Sequence, residues 1–317
     1  MQLLTLIGQI ETTFGVRLAV AQVHRAPTPL GLSALIAAQE GRAVPALNLA
    51  DCVMPIQPLG AGIPIYGVHV LGINGSFLRP LADAMGPDQP IFGLTVGLLS
   101  AATPTSVEET AALYFRAIQA HRPNGPLGLV AVSLGSFMAL ELAQQLRAAG
   151  REVRLLAMMD AEGPGGRENI HGFAWLAVHI ALLRKGGMGH LRELICGKVE
   201  SLRHRIAKLR LWVEAGVLRD TRVVTSVDGF VAANAVAIQS YDPRPYAGRM
   251  TIIRAKGSLF DSNRALQTGL GWRCVAQGGF VVVDVAGDHL SILQEPGVVD
   301  VAAVLATELK RVGPKQA

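Results

Sequence analysis

An α/β fold, with a mostly parallel sheet covered by helices on both faces, is what three features of this sequence predict. Short β-branched apolar runs alternate with helical periodicities from about residue 63 to 160, and strand patterns return near 250 and 280. One such run, Leu127 to Val132, gives way at Ser133 to a helix with Met138, Leu140, Leu142 and Leu146 at near-helical spacing and Gly150 as its stop. Half of the 317 residues are hydrophobic and 17% are charged, a balance that supplies a large core and excludes a disordered chain.

The elements follow in order. Residues 1–14 put Leu3, Leu4, Ile7 and Ile10 on one helical face, and a second helix starts at Thr28, with Pro29 in its first turn, and runs to Gln39. Two such helices cannot enclose a core alone. Residues 41–62 gather Pro45, Pro55, Pro58, Gly60 and Gly62 and predict a linker with one edge strand at 53–57. "IPIYGVHVLGING" is a buried strand running into a glycine-containing loop, followed by a helix at 77–85 and a strand at 90–95. A helix spans 106–121, where Ser106 and Glu109 form a capping box. After the strand and helix around Ser133 comes a strand at 153–160. Residues 163–228 are helical only and form an inserted lid; strands resume at 250–254 and 279–285, and a helix at 298–311 closes the chain.

Composition removes several function classes. Cys52, Cys196 and Cys274 are odd in number and far apart, so neither a disulfide framework nor a zinc site follows and a reducing, cytoplasmic setting is expected. The first fifteen residues lack a basic leader and no apolar run reaches spanning length, so no membrane partner is expected. The net charge of +5 is concentrated in the lid, at Arg184, Lys185, Arg192, Lys198, Arg203, Arg205, Lys208 and Arg210. That face is a solvated helix surface or a landing area for an acidic protein, and it does not call for nucleic acid. No GxxxxGK phosphate loop, HExxH or true GxGxxG occurs, so no nucleotide or metal is expected.

Ser133 stands between Ala131 and Gly135 at a strand-to-helix turn so tight that small flanking residues are needed, which leaves its hydroxyl projecting. This is the nucleophile elbow G-x-S-x-G with alanine at the first glycine. A serine nucleophile needs a base and the base an orienting acid, in the chain order serine, acid, histidine. His289, in "VVVDVAGDHLSIL", is the one histidine that follows a late strand in a loop and is the expected base; His69 precedes the nucleophile, and the other six belong to helices or the lid. Two aspartates remain as candidate acids: Asp160, after the next strand, and Asp261, past the lid. Asp288, beside the histidine, is a supporting residue.

Two stretches resemble known families. "LIGQIETTFGVRLAVAQVHRAPTPLGLSALI" is similar to the second half of a peptidyl carrier domain of nonribosomal peptide synthetases. By that resemblance the serine bearing phosphopantetheine would fall immediately before Met1. The expectation is that Met1 is internal to a D-S-M motif of a longer synthetase, the alternative being a degenerate docking stub. After Pro64, "GVHVLGINGSFLRPLADAMGPDQPIFGL", "SVEETAALYFRAIQAHRPNGPLGLVAVSLG", "VRLLAMMDAEGP", "YDPRPYAGRMTIIRA" and "AGDHLSILQEP" resemble type I thioesterase domains of peptide and polyketide synthetases, which are α/β-hydrolases.

The resemblance implies a partial carrier-like segment over 1–40, a linker over 41–62 and an α/β-hydrolase thioesterase domain over 63–317. It selects Asp160 over Asp261 as the acid. It implies a Ser-His-Asp acyl-enzyme mechanism without a bound cofactor, acting on an acyl or peptidyl chain carried on the phosphopantetheine arm of a carrier domain, with release by water or by ring closure. Oxyanion donors are expected at the backbone of Leu134 and of Val70 or Leu71. The sequence departs from the family in reading "HVLGIN" where H-P-G-G-G-N is usual, and in Ser136 where a second glycine is usual. Trp175, Leu182, Leu183 and Trp212 line an acyl cavity or fill the lid core. The rival readings are a stand-alone carboxylesterase or lipase, and a silent docking remnant.

Overall fold

The computed structural model describes residues 2–25, 29–39, 48–68, 76–96, 104, 106–166, 234, 237–238, 240–257, 268–289 and 291–311. The chain divides into two compact units, Met1–Gly166 with Val224–Ala317, and Arg167–Val223. The second unit, and with it nearly all of the expected lid, its basic side chains, Trp175, Leu182, Leu183 and Trp212, lies outside the described residues.

The first unit is built on a seven-stranded sheet of β1 (Val53–Gln57), β2 (Ile65–Val68), β3 (Ile91–Leu94), β4 (Leu127–Val132), β5 (Val153–Met159), β6 (Met250–Ala255) and β7 (Phe280–Val285), in the order β1-β3-β2-β4-β5-β6-β7. All neighbours are parallel except β1, which pairs antiparallel with β3. β2, β3 and β6 are buried at every position, so both faces are covered, as parallel strands demand. β1 lies at the sheet edge, where Pro55 deprives no partner strand of a ladder donor, and its register shifts between Pro55 and Gln57. Gly67 in β2 leaves the space that Leu78 fills: a Cβ there would stand 2.3 Å from Leu78 Cδ1.

Helices α4 (Arg79–Met85), α5 (Val107–His121), α6 (Gly135–Ala148) and α7 (Gly297–Lys310) pack against the sheet, α5 beside α6 and α4 beside α7. Ser106 caps α5 as expected, its hydroxyl accepting from the Glu109 amide at 3.0 Å. Arg151 ties the end of α5 to the start of β4, donating to the carbonyls of Arg122, Pro123 and Gly125 and to Gln119.

Upstream are α1 (Gln2–Phe14), α2 (Val20–Arg25) and α3 (Pro29–Gln39). Ile10, Val16, Leu18 and Val23 form a small core with Leu32, Leu35 and Ile36 against it, while Val20 and Ala21 bury into the main core. Arg25 pairs with Asp51, so these helices are joined to the sheet edge at β1. Helix α2 stands between the two helices that the sequence predicts here: six residues, "VAQVHR", make under two turns and carry no readable period.

At the opposite end of the strands from Ser133, His121 meets Tyr66 at 2.9 Å and packs edge-on to Phe92. Burial first, and the charge of Arg122 second, hold its imidazole below the ordinary value. Below about pH 6.5 the unfolded chain therefore takes up a proton that the native state resists, and this contribution to stability declines as pH falls towards the depressed native value. Replacing His121 with Gln is expected to shrink the loss of Tm between pH 7 and pH 5, as measured by scanning calorimetry.

Candidate active site

The carboxyl ends of β4 and β5 repeat one backbone device. At the end of β4 the chain turns at Ser133 with φ 53, and at the end of β5 it turns at Asp160 with φ 44, both left-handed conformations that non-glycine residues seldom adopt. The Ser133 amide donates to the Met159 carbonyl of β5 at 3.0 Å, and the Asp160 amide donates to the Ile253 carbonyl of β6 at 2.7 Å. Because Val132 pairs with Met159, Ser133 and Asp160 stand side by side, about 5 Å apart at one strand spacing. Strain of order 1–3 kcal/mol at each position persists only because the sheet fixes both flanks.

Small residues flank the turn at Ser133. Ala131 is fully buried, Gly135 is buried at the first position of α6, and Leu134 is the N-cap residue of α6 and 37% exposed. The Leu134 amide thus stands at the positive end of a 14-residue helix. Ser136 is fully buried, and its Oγ has no hydrogen-bond partner among the described residues.

Asp160 is completely buried, and each of its carboxylate oxygens is used. Oδ1 accepts from the Ala255 amide at 3.1 Å, and Oδ2 meets His289 Nδ1 at 2.8 Å. A carboxylate at Nδ1 requires that nitrogen to carry the proton, which leaves Nε2 of a neutral imidazole as an acceptor. The His289 side chain is 36% exposed, open enough to exchange protons with a reacting group.

His289 follows β7 in a loop held on both flanks. Gly257 donates to the Gly287 carbonyl at 2.9 Å, and Asp300 accepts from the Ala286 amide at 3.2 Å. Asp288 and Ser291 then close on each other: the Asp288 amide donates to Ser291 Oγ at 2.9 Å, while the Ser291 amide and hydroxyl donate to Asp288 Oδ1 at 2.9 and 2.8 Å. Only His289 and Leu290 lie between them. One strand back, Arg254 grips Asp284 through two 2.8 Å hydrogen bonds that hold the Asp284 carboxyl below the usual range and clamp β6 to β7.

Of the residues singled out from sequence, the fold brings Ser133, Leu134, Asp160 and His289 to one rim. Val70, Leu71 and the alternative acid Asp261 lie outside the described residues. Sequence reading missed two contributors, the Ala255 amide and Ser291. No side-chain pattern could mark the first; the spacing D-x-x-S around His289 was a usable signal for the second. Among the described residues, no group of His, Cys, Asp and Glu comes together as a metal site, and no helix is long and apolar enough to cross a membrane.

Residues 67–308 match the family model for the thioesterase domain. The chain is 27% identical to chondramide synthase cmdD of Chondromyces crocatus, over 96% of this chain and 8% of that protein. It is 26% identical to the dimodular nonribosomal peptide synthase of Bacillus subtilis (strain 168), over 96% of this chain and 12% of that one. Against the indigoidine synthase of Dickeya dadantii (strain 3937) the identity is 26% over 95% of this chain and 20% of that one, so the chain spans a fifth or less of each of these relatives. Among solved structures, a four-domain nonribosomal peptide synthetase shares the fold at TM-score 0.59 and 22% identity, over 97% of this chain and 23% of that one. The NocB thioesterase domain in covalent complex with a fluorophosphonate nocardicin G analog aligns at TM-score 0.55 and 23% identity, over 81% and 99% of the two chains. The surfactin thioesterase domain SrfTE does so at 0.53 and 18%, over 84% and 99%. The matched span runs from β2 into α7 and takes in both strained strand ends and the histidine loop. On that evidence the chain belongs to the thioesterase domain family, built as an α/β-hydrolase.

Proposed function

We propose that this chain releases an acyl or peptidyl group from a phosphopantetheine thioester through an acyl-enzyme on Ser133. The observation that carries the reading is the 2.8 Å contact of His289 Nδ1 with buried Asp160, beside the left-handed turn at Ser133. His289 Nε2 takes the Ser133 proton as Oγ attacks the thioester carbonyl. The oxyanion is held by the amide of Leu134 and that of Val70 or Leu71, and Asp160 stabilises the imidazolium. Collapse of the tetrahedral adduct breaks the C–S bond, and the imidazolium protonates the departing thiolate. Water, or a nucleophile within the acyl chain, then attacks the ester with His289 again as base, giving a free acid or a ring. No cofactor enters any of these steps.

Asp160 is the acid in this scheme because it already holds His289 Nδ1 and because a buried carboxylate is a strong partner for an imidazolium. The substrate is presented by an acyl or peptidyl carrier domain, a reading supported by the multidomain peptide synthase relatives and by the carrier-like stretch within α1–α3. Free Cys52 and Cys274 fit a reducing, cytoplasmic setting.

Incubation with octanoyl N-acetylcysteamine thioester followed by intact-mass analysis and peptide mapping is expected to find the octanoyl group on Ser133, with octanoic acid released. Turnover with the adduct mapped to any other residue would overturn the scheme. Replacing Ser291 with Ala removes the hydroxyl that accepts from the Asp288 amide and donates to its carboxylate, leaving the backbone amide in place, and is expected to lower kcat about tenfold at nearly unchanged KM. Steady-state kinetics should recover most of that loss in Ser291→Thr, which restores the hydroxyl.

A further inference from the structure

Trp272 begins a 3-10 turn, Trp272–Cys274, between β6 and β7 and is completely buried. Its indole N–H donates a 2.8 Å hydrogen bond to the carbonyl of Ala161, the residue directly after Asp160. The same ring packs on Phe137, centroids 5.2 Å apart, in the first turn of α6. One side chain therefore touches both the exit of Asp160 and the helix that begins at the elbow. The polypeptide around it continues the seam. Gly163 donates to the Leu270 carbonyl at 2.8 Å and Gly165 to the Gly271 carbonyl at 3.0 Å.

The seam is tight and strained. A Cβ on Gly163 would stand 2.6 Å from Trp272 Cδ2, so only glycine lets the segment after Asp160 lie against the indole. Leu270 is held at φ 54 between Gly269 and Gly271, both also at positive φ. Such a loop persists where its surroundings over-determine it. A buried tryptophan needs an acceptor for its N–H, and here the acceptor is the peptide that follows the strained aspartate. With its own amide on Ile253 and the next carbonyl on Trp272, Asp160 is gripped from both sides at φ 44.

We infer that Trp272 is a positioning residue for Asp160, locking the carboxylate onto His289 and tying that lock to the helix that follows the proposed nucleophile. The inference rests on the acyl-enzyme reading above. Trp272→Phe keeps an aromatic ring and deletes the N–H. Gly163→Ala disturbs the same contact from the segment after Asp160, so either variant suffices if the other does not accumulate. In both, kcat on octanoyl N-acetylcysteamine is expected to fall about ten- to a hundredfold with KM within about twofold of wild type.

The downfield proton NMR resonance of His289 Nδ1–H, held against Asp160 at 2.8 Å in the wild type, should also weaken or move upfield, because that hydrogen bond loosens once the carboxylate swings away. A tryptophan that merely fills the core would change the amount of folded enzyme and neither of these readouts, once active sites are counted by fluorophosphonate titration. Wild-type kcat per titrated site together with a wild-type Nδ1–H resonance overturns the inference. Failure of the unmodified protein to take fluorophosphonate at Ser133 overturns instead the reading on which it rests.

Discussion

Ser133→Ala is expected to lower thioester turnover by about a million-fold and to abolish both the acyl adduct and fluorophosphonate labelling, because alanine removes the hydroxyl that attacks in this scheme. The residual rate would come from binding and from amides that still polarise the carbonyl. A companion substitution separates the chemistry from the backbone. Ser133 adopts φ 53, a conformation that glycine enters at no steric cost and that other residues enter at a penalty. Ser133→Gly should therefore be as inactive as Ser133→Ala but more stable than the alanine variant by about 1 kcal/mol, a gap of a few degrees in Tm by scanning calorimetry. That pairing would show the turn storing strain at the proposed nucleophile. Equal stability of the two variants would mean that the sheet and α6 relax around alanine without cost.

How far the sequence could reveal this depends on the range of each interaction. The elbow was legible because its requirements are local: a strand, small residues two before and two after, and a helix, all within one stretch of chain. The edge strand at Val53–Gln57 was legible because proline excludes itself from sheet centres. The proposed acid is not decided by local pattern. Asp160 and Asp261 both follow strands, and what distinguishes Asp160 is the Ala255 amide, 95 positions away, and His289, 129 away. Backbone donors carry no residue-type signature, so the Ala255 contact was invisible in principle. Trp272 was overlooked for a related reason. It sits in a glycine-rich turn without periodicity, and its contacts with Ala161 and Phe137 exist only once β6 returns beside β5. The short helix α2 escaped because its stability comes from burial of Val20 and Ala21 against the main core rather than from propensity.

The hydrogen bonds of Asp160 also fix what the isosteric substitution must do. In Asp160→Asn the side chain still fits the buried site, but it has one acceptor oxygen and one donor nitrogen where the carboxylate has two acceptors. The Ala255 amide requires an acceptor at the Oδ1 position, so the carboxamide oxygen settles there and the NH2 faces His289 Nδ1. Nδ1 must then accept, the imidazole proton moves to Nε2, and the base has no lone pair left for the Ser133 hydroxyl. A drop of about ten-thousand-fold in kcat follows, with KM little changed and the fold intact. Nitrogen-15 NMR of the His289 ring should find the proton on Nδ1 in the wild type and on Nε2 in the variant, linking the kinetic loss to a tautomer rather than to damage. The same measurement decides between the two acids. If Asp261 served instead, Asp160→Asn would leave kcat within about tenfold of wild type and Asp261→Asn would take the ten-thousand-fold loss. The reverse pattern is expected, because a second carboxylate cannot hold Nδ1 while Asp160 occupies it.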